Sequence, residues 1–176
     1  MFSVKETIRN FPYFDYWDFK VEFQIDNQCY CINIHTLDQV FNGEHISFRR
    51  AIDQKKTLRC FVDIGEEVGG DFLTLGSVSL TWKPEEKECY IGTVWIEPDY
   101  RGHGLATYIF NEIINFADEF EIPLSLHAMP FINPERKPTD EEILKLKDYY
   151  RRFGFKENSI IQGIGYDCSM ERLPRI

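Results

Sequence analysis

The sequence is poor in every feature that marks a membrane, secreted or nucleic-acid-binding chain. No apolar run approaches the roughly 20 residues of a membrane span. Met1 is followed by Lys5, Glu6 and Arg9 in place of the apolar stretch of about 7–15 residues that a secretory leader needs, so a soluble, cytoplasmic protein is expected. Cysteine is sparse and odd in number. Cys29, Cys31, Cys60, Cys89 and Cys168 form no Cys-x-x-Cys pair, which argues against a disulfide framework and for reduced, mostly buried thiols. The histidines His35, His45, His103 and His127 are scattered, no His/Cys group has zinc spacing, and no metal is expected. Basic residues are in deficit, with 20 Lys and Arg against 29 Asp and Glu, a net charge of −9. Nucleic acid is a poor partner for such a surface, because affinity there rests on neutralising phosphates, whereas a cationic amine is attracted. Neither Gly-x-x-x-x-Gly-Lys-Ser/Thr nor Gly-x-Gly-x-x-Gly occurs, which removes an NTP-cradling loop and a dinucleotide fingerprint.

What is present is a core. Hydrophobic residues make up 43% and aromatics 15% of 176 residues, enough for a single domain, 1–176, that buries about two thirds of its unfolded surface. The stretch Ile96-Glu97-Pro98-Asp99-Tyr100-Arg101-Gly102-His103-Gly104-Leu105-Ala106 organises the rest. Before it, Tyr90 to Ile96 is rich in β-branched and aromatic residues and predicts a strand. After it, apolar residues at Ala106, Ile109, Phe110, Ile113, Ala117 and Phe120 predict a helix. A strand, a glycine-bearing turn and a helix start form an anion site, since the first-turn amides have no partner within the helix. Gly102 and Gly104 let a bulky ligand approach the backbone.

Along the chain, Phe11 to Phe19 gathers six aromatic residues into an arm, read as a cover for the core or as a wall for an acceptor. Val21, Phe23 and Ile25 alternate, as do Tyr30, Ile32 and Ile34, so a hairpin turning at Asp26-Asn27 is expected. Two short helices follow, one with Leu37, Val40 and Phe41, one capped by Ser47 with Phe48 and Ile52. Strands are expected at Leu58–Ile64, Gly76–Trp82, Glu88–Ile96 and Leu124–Ala128, and Met129 to Pro138 reads as loop. Thr139-Asp140-Glu141-Glu142 is a capping-box pattern whose helix carries Ile143, Leu146 and Tyr150 on one face and stops at Gly154.

Two strings point further. Arg101-x-x-Gly104-x-Ala106, preceded by Ile96-x-Pro98-x-Tyr100, resembles the acetyl-CoA signature of the GCN5-related N-acetyltransferase family. Tyr149 to Phe155 resembles that family's Phe/Leu-Tyr-x-x-x-Gly-Phe element, and Cys168 to Pro174 its last strand. The resemblance extends from about Arg59 to the C-terminus, so 56–176 would be the acetyl-CoA-binding core, with the arm, hairpin and helix pair in 1–55. It implies an α/β fold with a mixed, mostly antiparallel central sheet flanked by helices, an acetyl-CoA-dependent transfer to a primary amine by direct attack in a ternary complex, and the homodimer that is frequent among family members. Where family members often carry an Asn, seven residues before the tyrosine, this chain has Ile143.

By the same resemblance Val94, Trp95 and Ile96 run along the pantetheine arm, and the amides of Arg101, Gly102, His103, Gly104, Leu105 and Ala106 hold the pyrophosphate. The Ile96 N–H would serve the oxyanion. Tyr150 would contact the donor and act as general acid, although a thiol of pKa about 8.5 gains only modestly from a phenol of pKa about 10. For the base, Glu97, Glu88 and His127 stay open beside attack by an already neutral amine. His103, Arg151 and Arg152 read as solvated or as phosphate contacts. A non-catalytic acetyl-CoA-binding regulator is the competing reading, and acylation of aminoacyl-tRNA conflicts with the acidic surface.

Overall fold

The computed structural model describes residues 19–25, 27–36, 53–55, 57–130, 135–158 and 169–175. The aromatic arm at 11–18, the helices expected around 37–41 and 47–52, His45 and Cys168 lie outside the described residues.

Among the described residues eight strands form one sheet: β1 (Phe19–Ile25), β2 (Gln28–Thr36), β3 (Leu58–Val68), β4 (Asp71–Lys83), β5 (Glu88–Ile96), β6 (Leu124–His127), β7 (Lys156–Glu157) and β8 (Ser169–Arg172), ordered β1-β2-β3-β4-β5-β6-β8-β7. All neighbouring pairs are antiparallel except β5 with β6. That parallel pair needs a crossover, which α1 (Leu105–Glu119) supplies. The expected mixed, mostly antiparallel sheet is the one observed. The hairpin pairs Val21 with Ile32 and Phe23 with Tyr30, and Asn27 takes the left-handed turn position with φ 65°.

Register decides which face is core. Leu58, Cys60, Val62 and Ile64 face Trp82, Leu80, Val78 and Gly76, and Cys89 and Ile91 face Leu124 and Leu126. These side chains are buried, while Ser77, Ser79, Thr81, Tyr90 and Ser125 on the other face are half-buried. Against the apolar face α1 buries Leu105, Ile109, Phe110, Ile113, Phe116 and Ala117. Phe110 is the hub of an aromatic cluster whose ring centroids lie 5.2–6.3 Å away at Tyr149, Tyr150, Phe153 and Phe155. α2 (Asp140–Arg151) thereby docks on α1.

The end of α1 and the start of α2 are both fastened. The Ile122 N–H donates to the Ala117 carbonyl at 2.8 Å and Glu121 to Asp118 at 3.3 Å, a Schellman closure with Glu121 at φ 54° in the place usually held by glycine. At the start of α2 the expected capping box is complete: Thr139 Oγ1 accepts from the Glu142 N–H at 3.2 Å and the Glu142 carboxylate accepts from the Thr139 N–H at 2.8 Å. Arg136 forks onto Glu142 at 2.6 and 2.8 Å and, with the Thr139 amide, holds that carboxyl down at about 2.

The end of α2 is held by a buried cation. Arg172, 3% exposed, donates Nε to the Phe153 carbonyl at 2.9 Å and both terminal nitrogens to Asp118 at 2.7 and 2.8 Å. Asp118 also accepts from the Arg175 N–H at 2.8 Å. Gly154, at φ 91°, takes the left-handed exit expected of it, with the Arg172 Nε only 3.5 Å from where a Cβ would stand.

Candidate active site

The site begins with a miscount in β5. The Cys89 N–H points toward the β6 side, donating to the Pro123 carbonyl at 2.9 Å. Strict alternation would send the Thr93 and Trp95 amides the same way. Instead Leu80 faces Ile91 while Val78 faces Val94, so Gly92 and Thr93 share the place opposite Ser79, and the Thr93 N–H donates to Ser79 Oγ at 2.7 Å. Beyond this bulge the Glu97 N–H donates to Leu75 on β4 at 2.7 Å. Counting back from there, the amides of Ile96 and Val94 lie on the opposite edge.

Among the described residues no strand lies beside that edge. β6 pairs with β5 only from Cys89 to Ile91 and then parts from it. The gap is a cavity of about 380 Å³ lined by Gly92 to Ile96, Arg101 and Ala106, by His127 at the end of β6 and Met129 and Pro130 after it, and by Leu146, Tyr149 and Tyr150 of α2. A second cavity of about 390 Å³ adjoins it in front of α1, sharing Ile96, Arg101, Ala106 and Tyr149, and adding Gly102, Gly104, Leu105, Thr107 and Arg152.

The turn between β5 and α1 leaves its donors open. Pro98–Tyr100 is a single 3-10 turn closed by Tyr100 N–H to Glu97 O at 2.9 Å. Gly102 and Gly104 both adopt φ 84°, and among the described residues nothing beyond the chain neighbours lies within 4 Å of a Cβ built on either. Gly104 is the N-cap of α1, no side chain caps it, and no acidic residue occupies the first turn. The Tyr108 N–H closes the first helical bond at 2.8 Å, leaving the Leu105, Ala106 and Thr107 amides without a partner within the helix, and these three residues line the second cavity. Arg101 folds back, its Nε donating to the Ile96 carbonyl at 2.9 Å.

Tyr150 is 6% exposed, its ring is packed in the aromatic cluster and it lines the first cavity. Burial first, and Tyr149 second, push its phenol well above the ordinary range. Tyr149, passed over in the sequence for its neighbour, lines both cavities, and its hydroxyl lies 3.4 Å from Thr107 Oγ1. The signal for it was available, since 149 is as good a helical partner of Leu146 as 150 is. Met129 and Pro130 carried no signal.

Most of the expected residues line one cavity or both, Ile96, Arg101 and Ala106 being shared. Val94, Trp95, Ile96, Arg101, Ala106 and Tyr150 line the first cavity, and Gly102, Gly104 and Leu105 the second. His103 is exposed and lines neither, and Glu97 lines neither. Of the other base candidates His127 lines the first cavity, whereas Glu88 accepts from Lys83 at 3.1 Å and Ser125 at 2.9 Å at the far end of β5. Arg151 is bound to Asp148 and Glu157, and Arg152 lines the second cavity. Ile143 is buried, so the polar contact common at that position in the resembled family is missing. Among the described residues no cluster of His, Cys, Asp and Glu could hold a metal ion, and no helix is long and apolar enough to cross a membrane.

No curated protein sequence matches the chain. Similar solved structures include GCN5 of Tetrahymena (10% identity, 66% of this chain and 69% of that one, TM-score 0.46). They also include Naa50 of Arabidopsis thaliana in complex with the bisubstrate analogue CoA-Ac-MVNAL (18%, 64% and 71%, 0.43) and an acyl-CoA N-acyltransferase of Pseudomonas aeruginosa (19%, 66% and 68%, 0.43). The sequence profile of the acetyltransferase (GNAT) family matches residues 23–155, well over half of the chain. The chain belongs to the acetyltransferase (GNAT) family.

Proposed function

We propose that the protein transfers an acetyl group from acetyl-CoA to the neutral nitrogen of an amine-bearing acceptor, by direct attack within a ternary complex. One observation carries the reading: the freed edge of β5 at Val94 and Ile96 borders the same cavity system as the uncapped start of α1, and Tyr150 of α2 lines the cavity with it. In this reading the amides of Arg101 to Ala106 take the pyrophosphate, where unpartnered first-turn donors and the helix dipole favour negative charge. The Val94 and Ile96 backbone pairs with the pantetheine arm, and the Ile96 N–H donates to the carbonyl oxygen as charge develops on it.

Tyr150 faces the departing sulfur. A phenol pushed upward by burial stays protonated at every working pH, but full proton transfer to a thiolate of pKa about 8.5 then runs uphill. Its role is therefore a hydrogen bond to the leaving sulfur more than delivery of a free proton. On the acceptor side His127 is the base candidate within reach of the cavity, and an amine that arrives neutral needs no base at all. The acidic surface favours a cationic small molecule or a peptide amine.

The test is incubation of purified protein with acetyl-CoA and a mixed amine and peptide library, followed by free-thiol release and mass spectrometry of acetylated products. Transfer to at least one amine is expected. Acetyl-CoA binding without transfer to any member would make the protein a binding module, and absence of binding would remove the donor.

A further inference from the structure

The two arginines that end α2 look equivalent in sequence and have opposite surroundings. Arg151 is committed to Asp148 and Glu157. Arg152 has no carboxylate partner among the described residues; its guanidinium carbon lies 4.8 Å from the centroid of the Tyr149 ring, and it lines the cavity in front of α1 together with Gly102 and Gly104.

The platform beneath it is fixed on several sides. The Tyr149 ring packs on Phe110 at 6.2 Å, Phe153 at 5.1 Å and Tyr150 at 5.4 Å, and its hydroxyl lies against Thr107 of α1. A guanidinium laid on an aromatic face keeps its N–H fork free at the edges and loses little freedom when it binds. In a chain of net charge −9 the field far from the site repels an anionic ligand, so its binding depends on cations placed at the site itself. The Arg101 Nε is already engaged by the Ile96 carbonyl, which leaves Arg152 as a guanidinium with all its donors open on this cavity among the described residues.

We infer that Arg152, stacked on Tyr149, is a specificity-determining residue that grips a phosphate of the donor's nucleotide end and so selects full-length CoA over shorter thioesters. The inference rests on the donor reading above. It adds a second grip to the first-turn amides, supplied by a side chain from the other helix. The chemistry recognised is a phosphate oxyanion, present both as the pyrophosphate and as the ribose 3′-phosphate.

The experiment is calorimetric titration of wild type, Arg152→Gln, Tyr149→Leu and Arg151→Gln with CoA, dephospho-CoA and pantetheine. Arg152 is exposed, so its replacement leaves folding intact, which thermal melting checks. Arg152→Gln should weaken CoA by roughly tenfold to a hundredfold, the scale of a charged hydrogen bond, and raise KM for acetyl-CoA with kcat unchanged. Pantetheine binding should not move, Arg151→Gln should behave as wild type, and Tyr149→Leu should lose part of the same factor non-additively with Arg152→Gln. A penalty that vanishes with dephospho-CoA assigns the 3′-phosphate, and one that persists assigns the pyrophosphate. Equal CoA affinity in wild type and Arg152→Gln overturns the inference and leaves the donor reading standing; a wild type that binds no CoA removes both.

Discussion

Replacing Asp118 by alanine should cost about 3 kcal/mol of folding stability. The Arg172 guanidinium is 3% exposed and has two partners, the Asp118 carboxylate and the Phe153 carbonyl. Removing the carboxylate strands a buried cation with one neutral acceptor, a loss of about 3–5 kcal/mol for broken buried pairs. The lower end applies because Asp118 is 24% exposed and water can enter where it stood. The Arg175 amide, which also loses its acceptor, is exposed and turns to solvent. For a chain of this size about 3 kcal/mol corresponds to a fall in Tm of about 6–12 °C. Urea titration with a check that m is unchanged, alongside thermal melting, measures it. Asp118→Leu combined with Arg172→Met should recover most of the loss, since an apolar pair of similar volume carries no stranded charge. A loss below about 1 kcal/mol, or a double variant no better than the single one, would refute the reasoning. The pH dependence has a fixed sign. Hydrogen bonds from Arg172 hold the Asp118 carboxyl below its ordinary value, so the contribution is complete above the unfolded carboxylate range and is lost as pH falls through the folded-state pKa. The gap between wild type and Asp118→Ala should therefore narrow below about pH 4.

Three further outcomes are expected. Gly104→Ala places a Cβ at φ 84° in the open space before α1, costing about 1–2 kcal/mol of stability for the left-handed conformation and weakening CoA binding by more than the stability loss explains; unchanged CoA affinity by calorimetry would dissociate the turn from the donor. Tyr150→Phe keeps the ring in its cluster and removes the hydroxyl, so kcat should fall about tenfold with KM for acetyl-CoA little changed, and an unaltered kcat at saturating donor would take Tyr150 out of the chemistry. Glu121→Gly relieves a left-handed non-glycine residue at φ 54° in the closure of α1 and should raise stability by about 0.5–1 kcal/mol in chemical denaturation, with a loss of stability counting against the strain.

What the sequence made legible was local. The turn from Ile96 to Ala106, the capping box at Thr139 and the exit at Gly154 are each read within a few residues, and each stands as expected. The lengths of β3 and β4 were not legible, because they run past Ile64 and begin before Gly76 as a ribbon in which Glu66, Glu67, Leu73 and Thr74 are half-buried or exposed and carry no alternation. The Arg172–Asp118 clamp joins residues 54 apart, a pairing that no periodicity announces. The choice between Tyr149 and Tyr150, and between Arg151 and Arg152, depends on which neighbour a second helix supplies, so adjacent identical residues acquired different surroundings only in three dimensions. Glu97, adjacent to the turn in sequence, lines neither cavity although its backbone closes the sheet.

The bulge at Gly92 and Thr93 rests on one additional residue between Ile91 and Val94. Deleting one of the two residues would restore regular pairing opposite Ser79, but it would also move Val94 and Ile96 one place back along the strand, so their amides would stay on the open edge and Val94 would still face Val78. What the additional residue changes is local: it takes Gly92 and Thr93 out of the ladder with β4 and hands the Thr93 N–H to a side chain, Ser79 Oγ, beside the start of the gap.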